Sequence, residues 1–309
     1  IIDRYYNTLR HLKLKQWIGR VKYYIPKIRP KKNNYPKLRS VKKAWESPLW
    51  KEKSLINSNE FVFLNKRERI NLATWNNKKL EKLWVYNLHY FDDLNSKKSE
   101  ERSIEHEAYI NNWISQNKEF AGIGWESYPL SLRAVNWVKW HLRGNNLNTK
   151  AKESLTNQTR WLIKNIEYHL LGNHLWTNGK ALYFAGLFFE GPEAKKWYKK
   201  GLLILRNELY EQCLKDGGHY ERSPMYHCTF LEDILDLINL NIIYNRQNNN
   251  LFHELLIKNA KKMINWINYL SHPDGEICFF NDSTLNIAPS KKILTTYLQT
   301  LINYKNNKD

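Results

Sequence analysis

The chain has 309 residues, 42% of them hydrophobic, enough to bury a large core as one domain or two. No run of 18 apolar residues occurs, so no transmembrane helix is visible in the sequence. Lys and Arg number 49 against 30 acidic residues, a net charge of +19, and the three cysteines lack the CxxC or zinc spacing of a disulfide framework or metal knuckle, so Cys213, Cys228 and Cys278 are expected as buried thiols.

The charge is concentrated at the start. Residues 1–50 hold 14 Lys and Arg, among them Arg10, Lys31, Lys32 and Arg39, against Asp3 and Glu46, a balance of +12. The remainder has 35 basic and 28 acidic residues, or +7. A basic leader suits an anionic partner: nucleic acid, an anionic membrane surface or an acidic polysaccharide. The plainer reading is a solvated tail. Position 1 is Ile rather than Met, so the chain is expected to be a fragment or a processed product, and no signal peptide is visible.

Residues 1–60 contain Pro26, Pro30, Pro36 and Pro48 and predict an irregular or loosely helical basic leader. Two short apolar runs, 61–64 and 83–86, predict brief strands. From about residue 100 the period is helical. Ile104, Ala108, Trp113 and Ile114 recur at helical spacing, as do Leu130, Ala134, Trp137 and Val138. Leu155, Trp161, Leu162 and Ile166 follow, then Leu202, Leu205 and Leu209. Residues 228–246 and 251–270 predict two amphipathic helices, with a polar turn at 247–250. The stretch TNGKALYFAGLFF at 177–189 is apolar on nearly every side, and a helix of that kind is buried. Alternation of amphipathic and buried helices across short turns predicts an all-α fold, an (α/α) solenoid or toroid of helical hairpins over 61–309. Pro273, Asp274 and Gly275 predict a turn before a strand at 276–280, and 291–304 predicts a closing helix.

Thirteen Trp and 19 Tyr are what carbohydrate clefts use, because a pyranose face stacks on a flat ring. Four polar stretches interrupt the helical pattern, each at the end of an apolar segment. They are WESYPL at 125–130, leading to Arg133, GNHL at 172–175, DGGHYERSPMYH at 216–227 and NDS at 281–283, and three of them sit within the wider stretches WESYPLSLRAVNW at 125–137, GNHLWTNGKAL at 172–182 and PDGEICFFNDS at 273–283. Singly each has a structural reading. Glu126 and Arg133 form a helix-face pair, Asn173 caps a helix, His174 is a hydrogen-bonded structural residue, and Tyr226 is core.

Together, and with NLHYFDDL at 87–94, these stretches resemble the heparinase II/III-like polysaccharide lyases over about residues 80–285. The resemblance implies an (α/α) toroid followed by a β-sandwich, and this chain ends at Asp309 without room for that second domain, so the toroid is expected to be truncated at its C-terminal end. It implies cleavage of a uronic-acid-containing anionic polysaccharide by β-elimination. Asn173 then neutralises the uronate carboxylate, and His174 and Tyr226 transfer protons. Substrate-binding candidates are Trp125, Glu126, Arg133, Glu221, His227 and Asp282. The resemblance also implies a periplasmic or cell-envelope location, with the cytoplasm as the alternative.

The chemistry fits these residue types. Removing the C5 proton next to a carboxylate requires donors that offset its charge, here Asn173 and Arg133. A base must reach that proton, and an acid must protonate the departing O4. A Tyr226 phenolate would need nearby positive charge, for which Arg222 or His227 are candidates. Two other readings stay open. An inverting glycoside hydrolase needs two carboxylates about 6.5–9.5 Å apart, from among Glu126, Asp216, Glu221 and Asp282. A non-catalytic polysaccharide-binding or capsule-assembly protein would use the basic leader. Nucleic-acid binding lacks a recognisable signature. No cofactor or metal is expected, since His219 and His227 stand without a third ligand. Oligomeric state and membrane association stay open at this stage.

Overall fold

The structure, a computed structural model, describes residues 6–306 apart from 8, 32, 33, 42, 70–74 and 247–249, and only the backbone at 304–306. Asp3 and Lys32 of the expected leader, and most of the expected turn at 247–250, lie outside the described residues.

Among the described residues, nine α-helices after residue 80 alternate between two layers. They are α2 (Lys82–Tyr90), α3 (Ser103–Gln116), α4 (Ser127–Leu142), α5 (Thr149–Leu162), α6 (Gly172–Phe188), α7 (Pro192–Gln212), α8 (Pro224–Ile243), α9 (Leu251–Tyr269) and α10 (Lys291–Asn306). The even-numbered helices pack on one another in turn and form the inner layer, with α3, α5, α7 and α9 outside them. Burial follows this order: 14 of 17 residues of α6 are buried, against 8 of 21 in α7. The result is an (α/α) toroid. Local chemistry starts the helices where the hairpins need them. Asn148 caps α5, Ser223 caps α8 and Asn250 caps α9, while Pro192 and Pro224 open α7 and α8.

Helices α6 and α7 approach unusually closely because glycines face each other's backbone. A Cβ on Gly201 would stand 2.6 Å from Tyr183 N, and one on Gly186 would strike Tyr198 N. The layer interior carries charge as well as apolar packing. Lys180 Nζ donates to Asp233 at 2.6 Å and Asp236 at 2.7 Å, and Lys139 to Asp236 at 3.1 Å, while Lys51 and Asp92, both partly exposed, pair at 2.7 Å.

Before the ring come α1 (Leu14–Tyr24) and three antiparallel strands, β1 (Leu55–Asn57), β2 (Glu60–Phe63) and β3 (Lys66–Arg69). The β2–β3 turn places Leu64 and Asn65 at positive φ, the hairpin geometry that suits strand twist. Asp93 fastens the sheet to the ring. It accepts hydrogen bonds from the Ser54 and Leu55 amides at 2.7 and 3.0 Å, from Arg102 at 3.0 Å and from His106 at 2.8 Å. Burial opposes its ionisation, yet these donors hold its carboxyl well below the usual range.

Several expectations change. The run 83–86 belongs to α2, where Trp84, Val85 and Leu88 face inward, and is not a strand. Residues 276–280 contribute only a single bridge, Ser271 to Ile277. The helix expected as amphipathic from 228 is the inner helix α8, with 16 of 20 residues buried. The sheet runs across residue 60, and Trp45 and Leu55 from the basic stretch sit in the core. Cys213 and Cys228 are buried free thiols, whereas Cys278 is only half-buried.

Candidate active site

A cavity of about 670 Å³ opens where α4 and α6 begin. Its walls are the starts of those two helices, the 163–170 segment and one side of α1. Lys22, Lys27, Lys82, Lys164, Lys200 and His169 line it, facing Glu126 and Glu167. Tyr86, Trp125, Trp161 and Tyr168 supply aromatic wall. A pocket of this charge and texture suits an anionic sugar chain.

His174 lies on the first turn of α6 and lines the cavity. Its Nδ1 stands 3.2 Å from Glu167 Oε1, and the other oxygen of Glu167 accepts from Asn178 Nδ2 at 3.0 Å. A carboxylate at Nδ1 fixes the tautomer that protonates that atom and leaves the Nε2 lone pair available. The Tyr128 ring packs against the imidazole with centroids 4.4 Å apart. The turn feeding this helix is strained. Leu171 adopts φ 62° and ψ −155°, a region costly for a side-chain-bearing residue, and Gly172 follows at φ 54°. That bend brings Asn173 and His174 to the helix's positive end.

Tyr226 occupies the first turn of α8, where the Ser223 hydroxyl accepts its amide at 3.3 Å. Ser283 reaches the same turn, 3.0 Å from Ser223 Oγ, and Asn281 donates to the Arg222 carbonyl at 3.1 Å. Burial first, then the charges of Glu221 and Asp282, push the Tyr226 phenol above its ordinary value. Its electrostatic neighbours are thus carboxylates, and the cationic surroundings expected to favour a phenolate are not what the structure places there. The two motif loops meet at Gly172, where a Cβ would lie 2.7 Å from Tyr220 Oη and 3.6 Å from Glu221 Oε1. Tyr128 links the groups: burial raises its hydroxyl, reinforced by Asp233, Tyr226, Asp92 and Glu167.

Trp125 and Glu126 line the cavity. Glu126 accepts from Lys82 at 3.0 Å and from the Tyr86 hydroxyl. Burial, then that bond to Glu126, push the Tyr86 phenol up to about 12. Asp282 is exposed and Glu221 half-buried. Two candidates are corrected. Arg133 is wholly buried, stacked on Trp113 and donating to Gln158, the His89 carbonyl and the Gly124 carbonyl, so it braces α2 and α5 against α4 and does not pair with Glu126. His227 is equally buried, stacked on Trp266 with Nε2 3.0 Å from the Met263 carbonyl. Sequence reasoning missed Glu167, which lies outside every motif, and Tyr128, which stood within one but was not singled out.

The two-layered ring with a basic cleft at one end defines an (α/α) toroid protein. The chain belongs to the heparinase II/III N-terminus family, whose model matches residues 5–309. The heparin-sulfate lyase of Bacteroides stercoris is 31% identical over 131 residues, which is 42% of this chain and 19% of that protein. That of Pedobacter heparinus is 27% identical over 113 residues, 36% of this chain and 17% of that protein. The alignment therefore spans less than a fifth of either relative's length. Among solved structures, a heparinase III superposes with a TM-score of 0.56 at 18% identity, covering 97% of this chain and 50% of the other. A heparan sulfate lyase from Pedobacter heparinus superposes at 0.51 and 18% identity, covering 73% and 39%. At such identities these likenesses establish the fold.

Proposed function

We propose that this toroid belongs to a polysaccharide lyase that cleaves a uronic-acid-containing anionic polysaccharide by β-elimination. The observation that carries the reading is the His174–Glu167 pair at the wall of a lysine-lined cavity. His174 Nε2 takes the C5 proton. The C5–H electrons form the C4–C5 double bond, the C4–O4 bond breaks, and O4 takes the Tyr226 proton. Tyr226 suits the acid role because its surroundings keep the phenol neutral. Asn173, at the positive end of α6, offsets the carboxylate of the sugar being deprotonated. Glu167 is a positioning residue, holding the imidazole tautomer. The cavity lysines and the names of the curated relatives favour a sulfated uronate polymer.

The test is absorbance of the unsaturated product, with the protein supplied alginate, heparan sulfate, hyaluronan and bacterial capsule in turn. Absorbance should rise on at least one polymer, and His174→Ala and Tyr226→Phe should each lower the rate by about 10²–10⁴-fold. New reducing ends without absorbance would replace the reading with hydrolysis by carboxylates such as Glu126 and Glu221. Binding without turnover on every polymer would make the chain a polysaccharide-binding protein.

A further inference from the structure

Helix α1 is amphipathic, and its apolar side faces out. Leu14, Trp17, Ile18, Val21 and Tyr24 recur at i, i+3, i+4, i+7 and i+10, the spacing of one helical face. Such a stripe ordinarily turns toward the core. Here Leu14 is 74% exposed, Val21 64% and Tyr24 82%, and Ile25 and Ile28 continue the exposure past the helix end. The face against the ring is small and polar instead. Gly19 alone of the helix is buried, and a Cβ there would stand 2.7 Å from His169 N. Lys13 and Lys15 pair with Glu211 and Glu208 of α7, and Tyr23 packs on His169 at 4.4 Å between centroids. These contacts fix the roll of the helix and hold the stripe outward.

Within this part of the chain the charge is of one sign. Between Asp3 and Glu46 the sequence has 14 Lys and Arg and no acidic residue. Arg10, Arg20, Lys22 and Arg29 are among the exposed ones. A sugar polymer would satisfy these charges but leave the stripe against hydroxyls, and an apolar protein groove would do the reverse. An anionic lipid surface offers phosphate charge and acyl carbon in one plane. Trp17 and Tyr24 are the residue types that favour the headgroup level.

We propose that α1 and its basic flanks are an interfacial anchor that seats the toroid on an anionic bilayer. Among the described residues no helix is long and apolar enough to cross a membrane, and the proposed seat is the one-sided stripe of α1 lying along the bilayer surface. Since Gly19, Lys22 and Tyr23 of the same helix also line the cleft, docking holds the cleft about one helix diameter, ~10 Å, from the lipid. The proposal is independent of the lyase reading.

The experiment is co-sedimentation of the 309-residue chain with vesicles of phosphatidylcholine alone or with about 30 mol% phosphatidylglycerol, at about 0.15 M salt. Binding to the anionic vesicles should exceed binding to the neutral ones by about tenfold or more. Leu14→Glu combined with Val21→Glu should weaken it by a similar factor with melting temperature unchanged, because both side chains are mostly exposed. Arg10→Ser with Arg20→Ser should erase the lipid preference. No binding to either vesicle overturns the proposal, as does binding indifferent to the stripe substitutions. A concentration-dependent dimer abolished by those substitutions would assign the stripe to a second copy of the chain.

Discussion

The interior of the ring and the cleft at its end both contain charge, arranged in opposite ways. Inside, Lys139 and Lys180 meet Asp233 and Asp236 directly, and neutral donors fill remaining valences, as Trp176 does for Asp233 at 2.9 Å and Tyr297 for Asp236 at 3.3 Å. Burial opposes the Lys180 charge, but Asp233 and Asp236 outweigh it and raise its pKa. At the cleft, the Lys82–Glu126 and His174–Glu167 pairs keep one side in solvent, with Lys82 62% exposed and His174 31%. Matched buried charges specify which helix faces which. Half-solvated charges keep capacity for a ligand, which is the physical mark separating a site from a brace.

The contrast breaks most readily on the interior side. Lys180→Met leaves Asp233 without its lysine and Asp236 with Lys139 alone, and should cost about 3–5 kcal/mol in urea unfolding. Lys82→Met, at the exposed pair, should cost less than about 1 kcal/mol. Equal losses would dissolve the distinction. A smaller effect tests the cleft. Glu167→Gln should lower kcat of the proposed elimination by about 10- to 100-fold with KM nearly unchanged, because it frees the imidazole tautomer without removing a substrate contact. Recovery in Glu167→Asp would sharpen the point, and a KM effect alone would make Glu167 a binding residue.

Neutral histidines complete the interior. Burial dominates at His227, against smaller pulls from the Met263 carbonyl and Asp216, and takes it down to about 4; burial, with His227 nearby, takes His219 to about 3. An unfolded histidine protonates near about 6.5. Their stabilisation is therefore complete above that pH and is lost as pH falls from there toward the folded values. Each contributes a slope of at most about 1.4 kcal/mol per pH unit. His227→Gln should flatten the acid side of the stability profile by about that slope, measured as urea midpoints between pH 7 and 4.5, and an unchanged slope would place the proton uptake elsewhere.

Much of this was legible in sequence. The apolar stretch 177–189 announced an inner helix, and its alternation with amphipathic neighbours announced the layered ring. What failed were features that direction decides. The run at 83–86 is too short to distinguish period 2 from period 3.6, and only packing of Trp84, Val85 and Leu88 makes it helical. Helix α8 reads as amphipathic because Asp236, Asn239 and Asn241 are polar, yet all three are buried. Arg133 and His227 stand in motif stretches like cleft residues, and their helix faces turn them inward. Glu167 carries no motif, and its meeting with His174 depends on the Leu171–Gly172 bend, which no spacing rule encodes. The gathering of the two motif loops around Gly172 did follow from their common position at helix ends.

The glycine fit between α6 and α7 also sets an order of events. Only 189–191 separates the two helices, so closing that hairpin sacrifices little chain entropy, and its contacts are local. Helices α2 and α10 must instead wait for partners distant in the chain or for the inner layer to accumulate. Amides of α6 and α7 should gain protection first in pulsed hydrogen exchange during refolding, and simultaneous protection around the ring would refute this. The backbone bearing His174 would then be the seed on which the later helices assemble, and a defect in that hairpin would slow folding of the whole ring before it altered any finished surface.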